Sequence, residues 1–383
     1  MELPCSAPPL LIYRLGSLGD TVVALPCFHL IRRVYPDRRI VLLTNQPVSE
    51  KAAPAMEVLA GSGLCDEAIH YPIGLRGPHA LAALRRRILS FKFDTAFHLN
   101  STRSLLQSCR DHLFLRACGV KRIIGTPVSR RDLRIRRRMQ PLAEQECVGL
   151  ARRIRRIGQV DPSDRAVWDL HFRAEEREGA WSLLRDGEIS KPFIAASMGT
   201  KHLANDWGDE NWMRLLQIIG AARPELGLVL VGSPGEFERS ERLRRCWRGS
   251  FTNACGRCNT RVSAAVLERA ALFVGHDSGP MHLAAAVGAP VVAVFSWRNP
   301  PGQWFPGWIG WDHVRVFYPP LPGGVWTERL RTRRSPSEGI LLIRPEPVAD
   351  ACSAFLGLAA KGDSAVNPGS PEAGAPLPPG RRP

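Results

Sequence analysis

The stretch Leu272 to Ser296 reads Leu-Phe-Val-Gly-His-Asp-Ser-Gly-Pro-Met-His-Leu-Ala-Ala-Ala-Val-Gly-Ala-Pro-Val-Val-Ala-Val-Phe-Ser. It predicts a strand, a polar turn, a short helix and a second strand. Continuous apolar runs at both ends are typical of parallel strands in a sheet covered on both faces. Asp277 or Ser278 is expected to cap the helix, with Pro280 in its first turn and Gly288 beyond its end.

The helix in this stretch starts just after the carboxyl end of a strand, which predicts an anion site. N–H groups without intrahelical acceptors and the positive end of the helix dipole meet there, and phosphate is a common ligand of such a position. Asp277, Ser278, Gly279 and His282 are concentrated at this one helix N-terminus. The competing interpretation is an ordinary strand–helix–strand unit in which Asp277 only caps the helix.

A second glycine-containing turn stands near the amino terminus. A strand predicted over residues 9–15 runs into Gly16-Ser17-Leu18-Gly19-Asp20, and a helix is predicted to continue to about Val34 with a bend at Pro26. A Gly-x-x-Gly turn lets backbone N–H groups approach a ligand closely. Asp20 could also be a plain acidic residue at the start of a helix.

Strands and helices alternate through both halves, which predicts an α/β fold with two doubly wound parallel sheets. We expect an N-terminal domain over 1–180, a second domain over 181–345, a helix over 346–359 and a disordered Pro/Gly-rich tail over 360–383. The two sheets are expected to face each other across a crevice, the usual place for a small-molecule site. His98, Asn100 and Arg103 fall at the carboxyl end of a predicted strand of the first domain, so they are candidate ligand-binding residues. His98 could also be a buried structural histidine.

Composition and charge narrow the class of protein. The chain has 383 residues with a formal net charge of +16, and no apolar run reaches the ~20 residues that span a bilayer. The amino terminus lacks the pattern of a secretory signal, and the scattered cysteines indicate reduced thiols, with a zinc or redox role for Cys255-x-x-Cys258 as the lesser alternative. No nucleic-acid motif is present. The arginine-rich runs Arg130–Arg138 and Arg152–Arg156 therefore favour an anionic, membrane-held partner, or they are simply a solvated surface.

Four motifs in order resemble glycosyltransferase family 9, the heptosyltransferase type that builds lipopolysaccharide cores. They are Arg14-Leu15-Gly16-Ser17-Leu18-Gly19-Asp20 with Pro26 following, Gly199-Thr200-Lys201 leading to residues 205–212, Leu230-Val231-Gly232-Ser233-Pro234 with Glu236, and Asp277-Ser278-Gly279-Pro280-Met281-His282-Leu283-Ala284-Ala285. The resemblance implies a GT-B architecture of two Rossmann-like domains facing across a crevice. In it the N-terminal domain binds the acceptor and the C-terminal domain binds the nucleotide-sugar. Many members carry a lysine where this chain has Asn205, and Lys201 is expected to supply that cation.

The resemblance also implies roles for single residues in an inverting sugar transfer. Asp20 is expected to be the general base, and Lys201 with the helix N-terminus is expected to stabilise the departing diphosphate. Asp277 is expected to brace its loop or, alternatively, to contact the sugar, while Glu236 is expected to bind a ribose hydroxyl or to be a helix N-terminal acid. The expected donor-binding residues are Gly16, Gly19, Thr200, Glu236, Asp277, Ser278, Gly279, Pro280, Met281 and His282.

The implied substrates are a nucleotide-sugar, with ADP-heptose favoured, and an anionic glycolipid acceptor. No metal or other cofactor is expected, because the sequence contains no Asp-x-Asp. We expect a cytoplasmic protein with possible peripheral contact with the inner membrane and no nucleic-acid partner. The alternatives are a nucleotide-sugar epimerase, a dinucleotide-dependent enzyme or a non-catalytic binding protein. Against the dinucleotide enzyme, the second strand ends in Leu42-Leu43-Thr44-Asn45 without an acid.

Overall fold

The computed structural model describes residues 7–45, 53–101, 104–128, 142–189, 192–327, 330 and 338–357. The chain divides into two compact units. The described residues up to 128 and from 144 to 171 form the first, and residues 142, 143 and those from 172 onward form the second. The predicted limits at 180, 345 and 359 stay predictions. The predicted tail 360–383 and the arginine run 130–138 lie outside the described residues.

The first unit contains a five-stranded parallel sheet in the order β3-β2-β1-β4-β5. Its strands are fully apolar at the centre: Leu10, Leu11 and Ile12 of β1 have no exposed surface. Burying one such side chain stabilises the fold by about 1.5–3 kcal/mol. The elements in chain order are β1 (Leu10–Tyr13), α1 (Leu18–Val22), α2 (Leu25–Val34), β2 (Ile40–Asn45), α3 (Met56–Leu59), β3 (Glu67–Tyr71), α4 (Pro78–Ser90), β4 (Thr95–His98), α5 (Leu105–Ala117), β5 (Arg122–Ile124) and α6 (Glu146–Ile154).

The second unit contains a six-stranded parallel sheet in the order β11-β10-β9-β6-β7-β8. Its core includes the fully buried Trp207 and Trp212, whose rings meet edge to face. The elements in chain order are α7 (Ala174–Asp186), β6 (Phe193–Ser197), α8 (Asp209–Ala222), β7 (Gly227–Leu230), α9 (Phe237–Arg244), β8 (Phe251–Asn253), α10 (Thr260–Leu267), β9 (Leu272–His276), α11 (Gly279–Ala286), β10 (Val291–Val294), β11 (Val314–Phe317) and α12 (Pro345–Phe355).

The single bent helix predicted after Asp20 is wrong, because the structure has two helices there. α1 ends at Val22, and α2 begins at Leu25 with Pro26 in its first turn. Proline is tolerated in a first turn, where its missing N–H would have no intrahelical acceptor, but it disrupts a helix interior. The chain therefore ends one helix before Pro26 and starts another.

Each sheet has one place where the direction of chain progression reverses. In the first sheet it lies between β1 and β4, and in the second between β6 and β9. At such a point the connections from the two adjacent strands run in opposite directions, which leaves a crevice at the carboxyl ends of the strands. Ligands of open α/β sheets bind in that crevice. The turn at residues 16–20 follows β1, and the N-terminus of α11 follows β9. Both therefore lie at a point where the direction of chain progression reverses.

Candidate functional site

The carboxylate of Asp20 packs directly against the loop that carries it. Its Oδ2 accepts a hydrogen bond from the Ser17 N–H at 2.9 Å, and its side chain is 27% exposed. Gly16 has φ +123°, and a Cβ at this position would lie 2.2 Å from the Asp20 Cγ. Gly16 is therefore required for close approach as well as for backbone conformation. One oxygen of the carboxylate binds the loop while the group stays in reach of solvent.

Two buried asparagines bind the backbone of this loop. Asn100 Oδ1 accepts from the Leu15 N–H at 2.6 Å, and Asn45 Oδ1 accepts from the Gly16 N–H at 2.8 Å. Asn45 ends β2, and Asn100 follows β4. Side chains at the carboxyl ends of β2 and β4, the two strands beside β1, therefore hold the turn in place. The predicted ligand-binding residue Asn100 has this positioning contact, and Asn45 was missed because its role depends on the strand order.

His98 is buried at the carboxyl end of β4. Its Nε2 lies 3.6 Å from Asp111 Oδ2, and its ring meets Tyr13 edge to face. Burial lowers the pKa of His98 and outweighs the opposing effect of Asp111, so the ring is neutral near pH 7. Burial alone would raise the pKa of Asp111, but the hydrogen bonds from Arg110 and the nearby His98 ring hold that pKa below its ordinary value.

The same edge of the sheet carries further polar groups that the sequence interpretation missed. Tyr13 and Tyr71 end β1 and β3, and their hydroxyls lie 3.0 Å apart. Their positions as last residues of alternate strands are a signal that could have identified them. Arg153, in the second arginine-rich run, donates to the Asn100 carbonyl at 2.8 Å, so it has a structural contact. Arg103 lies outside the described residues.

In the second unit, the N-terminus of α11 presents donors without intrahelical acceptors. The first bond of the helix runs from the His282 N–H to the Ser278 carbonyl at 3.4 Å, which leaves the N–H groups of Gly279 and Met281 ahead of it. Ser278 occupies the cap position, but its side chain makes no capping bond, and its hydroxyl is buried without a hydrogen-bond partner. Pro280 lies in the first turn, and Gly288, with φ +79°, follows the end of the helix as predicted.

Asp277 contacts three other residues. Its Oδ2 accepts from the Asn299 side chain at 2.9 Å, its Oδ1 lies 3.6 Å from His282 Nε2, and its carbonyl accepts from Asn205 at 3.0 Å. These contacts hold Asp277 in its loop, and both the bracing role and the sugar contact stay predictions. His282 is buried, and its ring centroid lies 5.9 Å from those of Trp304 and Trp308.

Asn205 is a buried link between the loops after β6, β9 and β10. Besides its bond to Asp277, its Oδ1 accepts from the Ser296 hydroxyl at 2.6 Å, and its exposed fraction is 2%. Lys201, in the loop directly after β6, has an exposed side chain, as does Leu203 two residues later. Thr200 folds the same loop through its hydroxyl, which bonds the His202 backbone at 3.2 Å.

Glu236 lies over the ends of β6 and β7. Its Oε2 accepts from the Ser233 N–H at 3.0 Å, and a Cβ at Gly199 would lie 1.9 Å from the Glu236 Cδ. A Cβ at Gly232 would likewise lie 2.1 Å from the Glu236 Oε2. The absence of side chains at Gly199 and Gly232 therefore leaves space for the Glu236 carboxylate at the carboxyl ends of these strands. Its backbone bond agrees with the N-terminal-acid interpretation, and binding of ribose stays a prediction.

Two further side chains that the sequence interpretation missed shape the loop between β6 and α8. Arg239 binds Asp206 through both terminal nitrogens at 2.8 and 2.9 Å and also donates to Asp209. His276 ends β9, is fully buried and accepts from the Trp207 N–H at 3.2 Å. Burial lowers the pKa of His276 to about 4, so this ring is neutral near pH 7. In the described ranges no three His, Cys, Asp or Glu side chains group to hold a metal ion.

Comparison with known proteins shows which family the chain resembles over its central part. Residues 119–307 match the model described as "Glycosyltransferase family 9 (heptosyltransferase)". Lipopolysaccharide core heptosyltransferase OpsX of Haemophilus influenzae is 23% identical over 141 residues, which are 36% of this chain and 39% of that protein. The aligned part thus spans well under half of that relative's length.

Solved structures share the fold along most of the chain. A glycosyl transferase family 9 structure from Veillonella parvula has a TM-score of 0.68 and 18% identity, covering 94% of this chain and 99% of its own. E. coli heptosyltransferase WaaC with ADP has a TM-score of 0.57 and 17% identity, covering 91% and 99%. The two α/β units and these likenesses confirm the predicted GT-B fold class. No helix in the described ranges has both the length and the apolar character to span a membrane.

Proposed function

The chain carries a glycosyltransferase family 9 domain, and from that premise we propose that it is an inverting glycosyltransferase. In the proposed reaction a sugar moves from a nucleotide diphosphate to a hydroxyl of a cell-envelope glycan. The observation that carries the proposal is the buried Ser278 hydroxyl without a partner at the N-terminus of α11. A buried hydroxyl without a partner costs free energy unless a ligand completes it.

The donor diphosphate is proposed to bind at the N-terminus of α11. The N–H groups of Gly279 and Met281, the Ser278 hydroxyl and the helix dipole favour an anion there. Lys201 follows β6, and β6 pairs directly with β9. Its ammonium group is therefore proposed to act at the same reversal point of the sheet as the N-terminus of α11. Asp277, fixed by Asn205 and Asn299, positions the turn. The carboxylate of Glu236, over the ends of β6 and β7, is proposed to accept a ribose hydroxyl.

Asp20 is proposed to be the general base, and the acceptor hydroxyl is proposed to bind at the carboxyl edge of the first sheet. His98 and Asn100 lie on that edge, and Arg103 follows them in the sequence. The acceptor oxygen attacks the anomeric carbon. On the opposite side of that carbon, the bond between the anomeric carbon and the diphosphate oxygen breaks. The acceptor proton passes to the Asp20 carboxylate, and the negative charge grows on the leaving diphosphate, where the α11 donors and Lys201 stabilise it. Attack from the opposite side inverts the anomeric centre.

ADP-heptose is the proposed donor. The E. coli WaaC structure holds ADP and is named a heptosyltransferase, and the aligned OpsX is a lipopolysaccharide core heptosyltransferase. The proposed acceptor is therefore an anionic lipopolysaccharide core or a related glycolipid. A chain of net charge +16 suits such an acceptor. The proposed location is the cytoplasmic face of the inner membrane, and the reaction is proposed to need no metal.

Titration of the purified chain with nucleotide-sugars in the presence of EDTA tests this proposal. ADP-heptose should bind and raise the melting temperature more than UDP-, GDP- or dTDP-sugars do, and ADP should be released when acceptor is added. Lys201→Ala should weaken ADP binding by about tenfold or more, since a charge-assisted contact contributes about 1.5–3 kcal/mol, whereas Lys121→Ala should not. Loss of transfer in EDTA that magnesium restores would overturn the metal-free mechanism, and equal indifference to all four nucleotides would overturn the donor site.

A further inference from the structure

Helix α5 of the first unit exposes apolar side chains to solvent. Leu106 and Leu113 are 84% and 68% exposed, and Leu105 before them is 43% exposed. Residues seven apart lie on the same side of a helix, so Leu106 and Leu113 form one stripe, with the exposed Cys109 beside it. Ser108 and Leu115 are the residues of α5 that are buried. α5 therefore packs Leu115 into the core and in addition exposes a second, leucine-containing stripe.

The surroundings of the stripe are basic. Helices α4 and α5 contain Arg85, Arg86, Arg87, Arg110 and Arg116, and Asp111 is their one acidic residue. The Asp111 side chain is only 12% exposed and pairs with Arg110, so no exposed acid lies on either helix. The two helices are in contact, because Arg85 Nε donates to the Ala117 carbonyl at 2.7 Å. Their outer surface therefore combines exposed leucines with a net positive charge.

We propose that the α4–α5 surface, defined by these five arginines with Leu105, Leu106 and Leu113, docks on an anionic lipid layer. Leucines that enter the interfacial region gain the free energy of burial, while arginines attract anionic headgroups. A second copy of the chain is a poorer occupant, since a two-fold contact would bring the same arginines together. The net charge of +16 opposes self-association in the same way.

The position of α5 connects this surface to the proposed acceptor site. The helix begins a few residues after Asn100, and Asp111 on its inner side reaches to 3.6 Å from His98. A lipid layer against the outer side of α5 would thus hold a glycolipid's headgroup near the carboxyl edge of the first sheet. This link to the acceptor rests on the proposed function, whereas binding to lipid by itself does not.

Co-sedimentation of the full chain with phosphatidylethanolamine vesicles, with and without phosphatidylglycerol, tests the proposal. Wild type should bind the anionic vesicles, and added salt should weaken the binding. Leu106→Ser with Leu113→Ser should weaken it by about tenfold or more, because two leucines no longer enter the lipid. Arg86→Gln with Arg87→Gln should reduce the dependence on phosphatidylglycerol, since each arginine near an anionic surface contributes about fivefold.

Matched controls remove the same groups elsewhere. Leu341→Ser with Leu342→Ser deletes two half-exposed leucines of the second unit, and Arg245→Gln with Arg248→Gln deletes two exposed arginines there. Both pairs should bind vesicles like wild type. If the control pairs weaken binding as much as the α4–α5 pairs, or if wild type ignores anionic vesicles, the proposal is overturned.

Two further measurements separate the possible failures. Size-exclusion chromatography that shows a dimer which Leu106→Ser with Leu113→Ser converts to monomer would assign the surface to a second copy instead. ADP titration reports the proposed function independently, and the leucine variant should bind ADP like wild type. Vesicle binding without any ADP binding would reject the proposed function and leave the lipid surface standing.

Discussion

The Arg14 side chain binds the main chain of Asp20. Its Nε and one terminal nitrogen lie 2.9 and 2.5 Å from the Asp20 carbonyl oxygen. The other terminal nitrogen donates to the Leu99 carbonyl, and Glu146 Oε1 lies 3.8 Å away. Arg14 is 1% exposed, so these charge-assisted bonds form in a buried setting where they are strong. The backbone of the proposed base is thereby attached to the end of β4, while one carboxylate oxygen binds Ser17.

Asp20→Asn should reduce transfer by a factor on the order of 10² or more, because the amide cannot take the acceptor proton. The amide oxygen can still accept from Ser17, so the loop and the melting temperature should be retained. ADP release and calorimetric ADP titration measure the two effects separately. The control is Asp37→Asn, at an exposed position of the same unit. Wild-type turnover in the Asp20 variant would remove this residue from the mechanism.

Gly16→Ala should destabilise the first unit by about 2 kcal/mol or more and reduce transfer. Two causes act together: the φ of +123° and overlap of the new methyl with the Asp20 carboxylate. Gly63→Ala separates them, since Gly63 has φ +73° and a Cβ added there would meet no atom within 4 Å. That control should show backbone strain of about 1–2 kcal/mol and unchanged transfer. Urea unfolding and ADP release give both quantities, and identical results for the two variants would contradict the packing argument.

Ser278→Ala should weaken ADP binding by about threefold to tenfold, since one neutral hydrogen bond contributes about 0.5–1.5 kcal/mol. It should cost little stability, because the Ser278 hydroxyl makes no capping bond. Ser104→Ala is the matched cap substitution: Ser104 Oγ accepts from the Gln107 N–H at 3.2 Å at the start of α5. That variant should lose about 1 kcal/mol of stability and bind ADP normally. The opposite pattern would show that Ser278 is a structural cap.

The Glu176–Arg261 pair should make the second unit sensitive to acid. Burial alone would raise the pKa of Glu176, but bonds from Arg261 at 2.6 and 2.9 Å and from the Arg173 backbone lower it to about 2. A lowered folded-state pKa stabilises the fold above the unfolded value of about 4.5 and ceases to do so as pH falls toward 2. Glu176→Gln should therefore cost about 3 kcal/mol at pH 7, and the difference from wild type should shrink below pH 4.5.

The control for this pair is Glu178→Gln, which breaks the exposed pair with Arg185. Exposed pairs contribute about 0–1 kcal/mol, so this variant should stay close to wild type at every pH. Chemical denaturation between pH 3 and 7 measures both variants. A Glu176→Gln deficit that stays constant down to pH 3 would contradict the lowered pKa.

The sequence determined the local elements and much of the chemistry available to them. Apolar runs of strand length, alternating with helices, specified two parallel sheets, because a strand covered on both faces must be apolar throughout. Ser278, Pro280 and Gly288 specified where α11 begins and ends, since cap position, fixed φ and positive φ are local properties. Cap position did not determine side-chain bonding, and the Ser278 hydroxyl is left without a partner.

Only the tertiary structure decided which of these residues meet. Strand order sets β4 beside β1 and β9 beside β6, and no local pattern encodes that order. It brings Asn45 and Asn100 onto the loop of Asp20, and Asn205 onto Asp277, across separations of 29, 85 and 72 residues. Arg14, Tyr71 and Arg239 gained their roles in the same way. Periodicity specifies which face of an element is buried, whereas the partners on that face depend on how the whole chain packs.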